Sequence, residues 1–196
     1  NHDHSHSHEN EEQTTARTRF GITSFVYSRR RPFHPERMST FLQSLGKFSI
    51  EGLNDINGKT LSRSSSSSKE IKSAAKSLLR SKGFVWIATS KTAAYFSSHA
   101  GQYLEVVILG RWWADIPESE WPANSHEDIR VDWDIEHPKH GDRRQELVFI
   151  GQFDSEEERK GLENLLDDCL LTDDEMEMYE KVACSENAND KALQNV

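Results

Sequence analysis

Apolar positions along the chain alternate between a spacing of two and a spacing of three to four, and the switches mark predicted elements. Phe20 to Arg30, centred on Phe25, Val26 and Tyr27, reads as a strand. Met38, Phe41, Leu42 and Leu45 then fall at i, i+3, i+4 and i+7, one helical stripe. Pro35 suits the first turn of that helix, where a missing N–H is no loss, and Gly46 suits its end. Ile71, Ala75, Leu78 and Leu79 predict a second helix, opened by the Ser67/Glu70 capping pair and closed by Gly83. Phe84 to Ala88, Tyr95-Phe96 and Leu104 to Leu109 predict further strands, with a hairpin at Gly101. Gln145 to Gly151 is the last strand. Ser155 with Glu158 opens a helix striped by Leu162, Leu165, Leu166 and Cys169. Thr172 with Glu175 opens a short acidic helix to about Val182.

Amphipathic helices need a sheet face to cover, so the expected fold class is α+β. The expected layout is a two-layer sandwich of four to five strands, antiparallel or mixed, with two to three helices in ferredoxin-like β-α-β-β-β-α order. Four stretches lie outside this pattern. Residues 1–17 are a polar, His-rich segment expected to be a disordered linker, and 183–196 a disordered tail. Residues 46–68, with Asn-Gly and the run Ser64 to Ser68, read as a flexible insertion into the domain at 18–182. Residues 111–141 are rich in Trp, Pro and acids without a period, and predict a long ordered loop anchored by indoles.

Charge sharpens this picture. The 196 residues carry Lys+Arg 24 against Asp+Glu 33, a net of −9, which argues against general nucleic-acid binding. No apolar run approaches the ~20 residues of a spanning helix. Residues 17–91 hold 15 Lys/Arg and 4 Asp/Glu, whereas 154–180 hold 12 Asp/Glu and 2 Lys/Arg. The two regions are expected to complement each other within one fold, with recognition of a charged partner as the alternative. The chain begins with Asn and reads as a piece of something longer; two cysteines, Cys169 and Cys184, suggest a reducing compartment, with a cytoplasmic or organellar setting left open.

Candidate chemistry is concentrated at the front. His2, His4, His6 and His8 put four imidazoles on one short segment, a set able to reach one zinc, cobalt or nickel ion, although nothing preorganises the geometry. Asn57-Gly58-Lys59-Thr60 resembles the end of a phosphate-binding loop, but Leu53 stands where the motif needs Gly, so no nucleotide site is expected in this chain. His137 and His140, at i and i+3, could ligate a metal if the loop turned there and further ligands joined them. Arg29, Arg30 and Arg31, with Arg143 and Arg144, could bind phosphate or pair with the acidic helices. Cys169 sits on an apolar stripe as a small core residue, and there is no G-x-S-x-G or thiol-protease signature. No catalytic residue is expected.

Five blocks carry a family resemblance: Ser24 to Tyr27 with Arg31-Pro32-Phe33-His34-Pro35-Glu36-Arg37; Arg80 to Ala88; Gly110-Arg111-Trp112-Trp113 with Trp121-Pro122; Gly141 to Gly151; and Leu166 to Glu175. In this order, over about residues 20–180, the chain resembles the C-terminal domain of the CobW-type GTPases, the metal-chaperone and zinc-homeostasis family. The His-rich stretch is similar to the linker that joins that family's two domains. The resemblance implies a parent GTPase whose nucleotide, GTP with Mg, and whose cysteine metal motif belong to an N-terminal domain. It implies as partners that GTPase domain, a client metalloprotein and, as a further option, a second copy of the chain, with neither nucleic acid nor membrane among them.

The expectation is a regulatory or client-docking domain of a GTP-dependent zinc or cobalt chaperone with a metal-collecting segment. The alternatives are a metal-independent interaction module in which the histidine run is incidental, and an enzyme with a site among His126, His137 and His140.

Overall fold

The computed structural model describes residues 15–45, 47–50, 76–153 and 155–181. The elements run α1 (Thr15–Phe20), β1 (Thr23–Arg29), α2 (Pro35–Leu45), β2 (Lys47–Ile50), β3 (Leu78–Val85), β4 (Ala93–Ala100) and β5 (Tyr103–Arg111). Then come α3 (His126–Val131), β6 (Gln145–Gly151), α4 (Glu156–Asp167) and a final helix, α5 (173–181). Three one-turn 3-10 segments, Trp113–Asp115, Glu118–Glu120 and Pro138–His140, punctuate the long connection between β5 and β6.

The fold is α+β, as expected. Six strands form one sheet in the order β1-β6-β3-β4-β5-β2. The first five are joined antiparallel, and β2 adds a parallel edge to β5. The register sets Phe25 beside Phe149, Phe149 beside Ser81, Ser81 beside His99 and His99 beside Leu104. That face is buried under Met38, Phe41 and Leu42 of α2 and Leu162 and Leu166 of α4, all closed from water. One residue along, Val26, Val148, Lys82, Ser98 and Glu105 form the adjoining row, and Val26 and Val148 stay exposed on it. A smaller cluster of Trp86, Ala94, Trp112, Leu171 and Met176 seats α5.

Three expectations need correction. Leu78 and Leu79 belong to β3 and not to a helical stripe, and Gly83 lies inside that strand instead of ending a helix. The reason is tertiary: Gly83, at φ +154°, lies so close to β6 that a Cβ would stand 1.8 Å from the Glu146 carbonyl oxygen. Lys47–Ile50, read as the start of a flexible insertion, is a strand, and Thr15–Phe20, partly read as linker, is helical. The Ser67/Glu70 pair, Gly46, Cys184 and the rest of 51–68 lie outside the described residues.

Locally encoded features match. The Ser155 Oγ accepts from the Glu158 N–H at 3.3 Å. The Thr172 and Glu175 side chains each accept the other's backbone N–H, at 3.3 and 2.8 Å. Gly101 turns the β4–β5 hairpin at φ +61°, and Cys169 is buried. The basic and acidic regions do meet inside the fold. Arg29 forks onto Asp167 with two 2.8 Å bonds, Arg31 reaches Asp173 at 2.6 Å, and Arg37 grips Glu175 at 2.6 and 2.9 Å.

Candidate metal centre

The loop predicted to be anchored by indoles is held by them, with buried Trp121 packed between Trp113 and Trp133 and donating to the Ile116 carbonyl at 3.0 Å, and also by the buried run Asp142-Arg143-Arg144. Both Asp142 oxygens accept backbone N–H groups, from Trp113 and Ala114, each at 3.0 Å. Arg143 donates to the carbonyls of Lys91 and His140 and pairs with Asp115 at 2.5 Å. Burial raises the pKa of that Asp115 carboxyl, with Arg143 pulling it the other way. Arg144 pairs with Glu146 and Asp132 and lies over the Phe84 ring. These arginines therefore serve internal pairing, the second of the two readings open from sequence.

This scaffold presents a tight turn over residues 132–141. Asp134 follows α3 and its Oδ1 accepts the N–H groups of Glu136 (3.1 Å) and His137 (3.0 Å), a side chain bonding its own downstream backbone. Pro138 pre-sets the next turn, closed by His140 N–H to the His137 carbonyl and by the Trp133 indole N–H to the Pro138 carbonyl at 3.1 Å. Gly141, at φ +62°, returns the chain where a Cβ would stand 2.3 Å from Ala114 Cβ. Its carbonyl accepts the Asp134 N–H at 2.8 Å.

The result is a convergence. His137 Nδ1 and His140 Nδ1 each lie 3.7 Å from Asp134 Oδ2, and the three atoms all fall within 4.8 Å of one another. The two imidazoles stack with centroids 5.4 Å apart. Asp134 and His140 are buried, whereas His137 is exposed. Asp134 Oδ2 and His140 Nδ1 have no hydrogen-bond partner. On its other side, His140 Nε2 sits 3.2 Å from Glu180 Oε1 on α5, and Lys139 holds the second Glu180 oxygen at 2.7 Å. With Nε2 donating to Glu180, His140 Nδ1 carries the lone pair. Burial pulls the His140 pKa below its usual value against the opposing pull of Glu180, and Lys139 holds the Glu180 carboxyl below its own. Two imidazole nitrogens and a carboxylate oxygen are a donor set for a divalent transition ion.

Elsewhere the sequence candidates scatter. His2, His4, His6 and His8 lie outside the described residues, as does Asn57-Gly58-Lys59-Thr60. His126 faces Glu118 and Trp121 at the start of α3, away from the 134–140 turn's ligand set. His99 is buried within β4. Asp134 and Glu180 were missed. The Asp134-x-x-His137-x-x-His140 spacing was a legible signal for the first; nothing local announces the second.

A family model described as the cobalamin synthesis protein cobW C-terminal domain matches residues 22–170. The chain belongs to this CobW C-terminal domain family. A relative, the zinc-regulated GTPase metalloprotein activator 1 of Dictyostelium discoideum, is 33% identical over 158 residues, 80% of this chain and 27% of that protein. The chain thus spans about a quarter of that relative's length. Among solved structures, the Zn(II)-bound YjiA GTPase from E. coli is similar over 77% of this chain and 31% of its own, at 18% identity and a TM-score of 0.39. A Zn(II)-bound triple mutant of the YjiA GTPase is similar over 74% and 30%, at 18% identity and a TM-score of 0.38. Within this CobW C-terminal domain the Gly141 to Gly151 block that carried the resemblance is structural: it caps, pairs and pins the loop that bears Asp134, His137 and His140.

Proposed function

We propose that the chain serves as the regulatory and client-docking domain of a GTP-dependent metal chaperone that handles zinc or cobalt. The observation that carries this reading is the family match over residues 22–170, beside a relative named as a zinc-regulated GTPase metalloprotein activator. GTP with Mg is handled by an N-terminal GTPase domain of the same protein, which is one partner; a client metalloprotein is the other. The fold is suited to docking. The sheet face carrying Val26 and Val148 offers exposed apolar area among polar residues, the composition of a contact surface.

His2, His4, His6 and His8 act in this reading as a tethered, low-affinity collector that raises the local metal concentration near the domain. Zinc calorimetry on the chain with all four changed to Ser tests this. The expected result is a loss of the weaker binding events relative to the unaltered chain. Identical isotherms would remove the collector role and leave the histidine run incidental.

A further inference from the structure

We infer that Asp134, His137 and His140 bind one divalent transition ion of the zinc class in the folded body, and that Glu180 is the positioning residue for this site. The assignment stands apart from the histidine run.

Three independent features point to a cation. First, the two Asp134 oxygens have different occupations: Oδ1 takes two backbone N–H groups, while Oδ2 takes none and points to both imidazoles. At 3.7 Å neither imidazole is within hydrogen-bond reach of it. A buried carboxylate oxygen and a buried imidazole nitrogen left facing each other unpaired cost free energy unless something lies between them. A cation of suitable size satisfies both. Second, the spacing is close to what that cation needs. Bonds of ~2.0–2.1 Å in a tetrahedral zinc site set ligand atoms about 3.3 Å apart, so the two separations of 3.7 Å from Asp134 close by a few tenths of an ångström, while the two imidazole nitrogens, within 4.8 Å of each other, draw together by a rotation of the exposed His137 side chain. Third, the outer shell is already built. A metal-bound histidine usually donates its other ring N–H to a carboxylate, which fixes its tautomer and orientation, and Glu180 occupies that position on His140.

The donor set selects the ion class. Two imidazoles with one carboxylate suit zinc, cobalt, nickel or iron(II); calcium and magnesium prefer all-oxygen sites, and copper(I) prefers thiolate or thioether. With three protein ligands and His137 exposed, the fourth position faces water. Such a site exchanges its ion more readily than a closed four-ligand site. Because Glu180 lies on α5, occupancy also tethers that helix to the 134–140 turn.

Zinc alone is the probe, titrated by calorimetry into the full chain with His2, His4, His6 and His8 changed to Ser. One equivalent is the expected stoichiometry. Asp134→Asn keeps the oxygen that bonds Glu136 and His137, and His137→Ala removes an exposed side chain, so both variants fold. Each is expected to weaken the remaining zinc at least tenfold. No zinc bound by the four-Ser chain, or one equivalent held with unchanged affinity by both variants, overturns the assignment. Cobalt(II) reads the positioning role: Glu180→Gln makes His140 a poorer donor, lowers affinity by about tenfold and shifts the visible absorption bands. An unshifted spectrum with unchanged affinity removes Glu180 from the site. Loss of the tail's binding with retention of this equivalent, or the converse, separates the two metal readings.

Discussion

The Gln145 carboxamide, at the start of β6, bonds the Trp86 backbone on both sides. Its Oε1 accepts the Trp86 N–H at 3.0 Å and its Nε2 donates to the Trp86 carbonyl at 2.7 Å. The same Nε2 donates to the Arg31 carbonyl at 2.9 Å. One fully buried side chain therefore stands in for a strand where β3 has ended and joins it to the segment before α2. Replacing it with Leu keeps the volume but leaves the buried Trp86 N–H without this acceptor. Gln145→Leu is expected to cost about 3 kcal/mol, read as a lowered urea midpoint with an unchanged slope.

Gly83→Ala tests the closest approach in the sheet. The added methyl meets the Glu146 carbonyl, which is fixed in the β3–β6 ladder and cannot rotate away. A loss of about 3 kcal/mol or more is expected. Gly101→Ala is the contrast, because its Cβ meets nothing within 4 Å and only its positive φ is penalised. That loss should be nearer ~1 kcal/mol. Thermal denaturation of the two variants side by side checks the order, and equal losses would refute the steric account.

These positions also show what the sequence could reveal. Ser155/Glu158 and Thr172/Glu175 were legible because a capping pair is complete within one turn. Cys169 was legible because its burial follows a helical period. Leu78 and Leu79 were misread because Gly83 looks like a helix stop, whereas its meaning comes from Glu146, a strand partner far along the chain. His137 and His140 were visible as a pair. What makes them a candidate site, the turn closed at Gly141 and the carboxylate of Glu180, depends on Ala114 and α5, neither of which neighbours them in sequence.

Glu175 links stability to pH. The Arg37 guanidinium, and then the Thr172 backbone N–H, hold its carboxyl down to about 2. A carboxyl depressed in the folded state stabilises the fold above its unfolded pKa of ~4.3, and that contribution fades as pH falls towards the folded value. The unaltered chain should therefore lose thermal stability between about pH 4.5 and 2 with a component that Glu175→Gln lacks. Melting curves of both proteins across that window check it. Parallel curves would show that the Arg37 grip contributes nothing.

Cys169 should be chemically silent. Burial raises its thiol pKa to about 11, with Asp168 adding to the rise, so little thiolate exists at about pH 8. In a Cys184→Ser background, a thiol-reactive probe at that pH should label the native chain only as fast as it unfolds. Labelling should become rapid in denaturing urea. Rapid labelling of the native chain would mean that the α4 end opens locally.

Asp142 decides whether the long loop is held as one unit. Its two oxygens cap the N–H groups of Trp113 and Ala114, and Ala114 in turn packs where Gly141 turns the chain. Removing the carboxylate with Ala leaves two half-buried amides without their acceptor, an expected loss of about 1–3 kcal/mol. Asn retains one acceptor oxygen and should lose roughly half as much. The two variants separate cap from charge, because Asn is neutral but still accepts: if the Coulomb field of Asp142 were the main contribution, Asn and Ala would be equally destabilised. Hydrogen exchange adds a local reading. In Asp142→Ala the amides of Trp113 and Ala114, and that of Asp134 bonded to the Gly141 carbonyl, should all exchange faster, while the β3–β4 ladder keeps its protection. Faster exchange at Trp113 and Ala114 alone would mean that the 134–141 turn holds its shape without the cap.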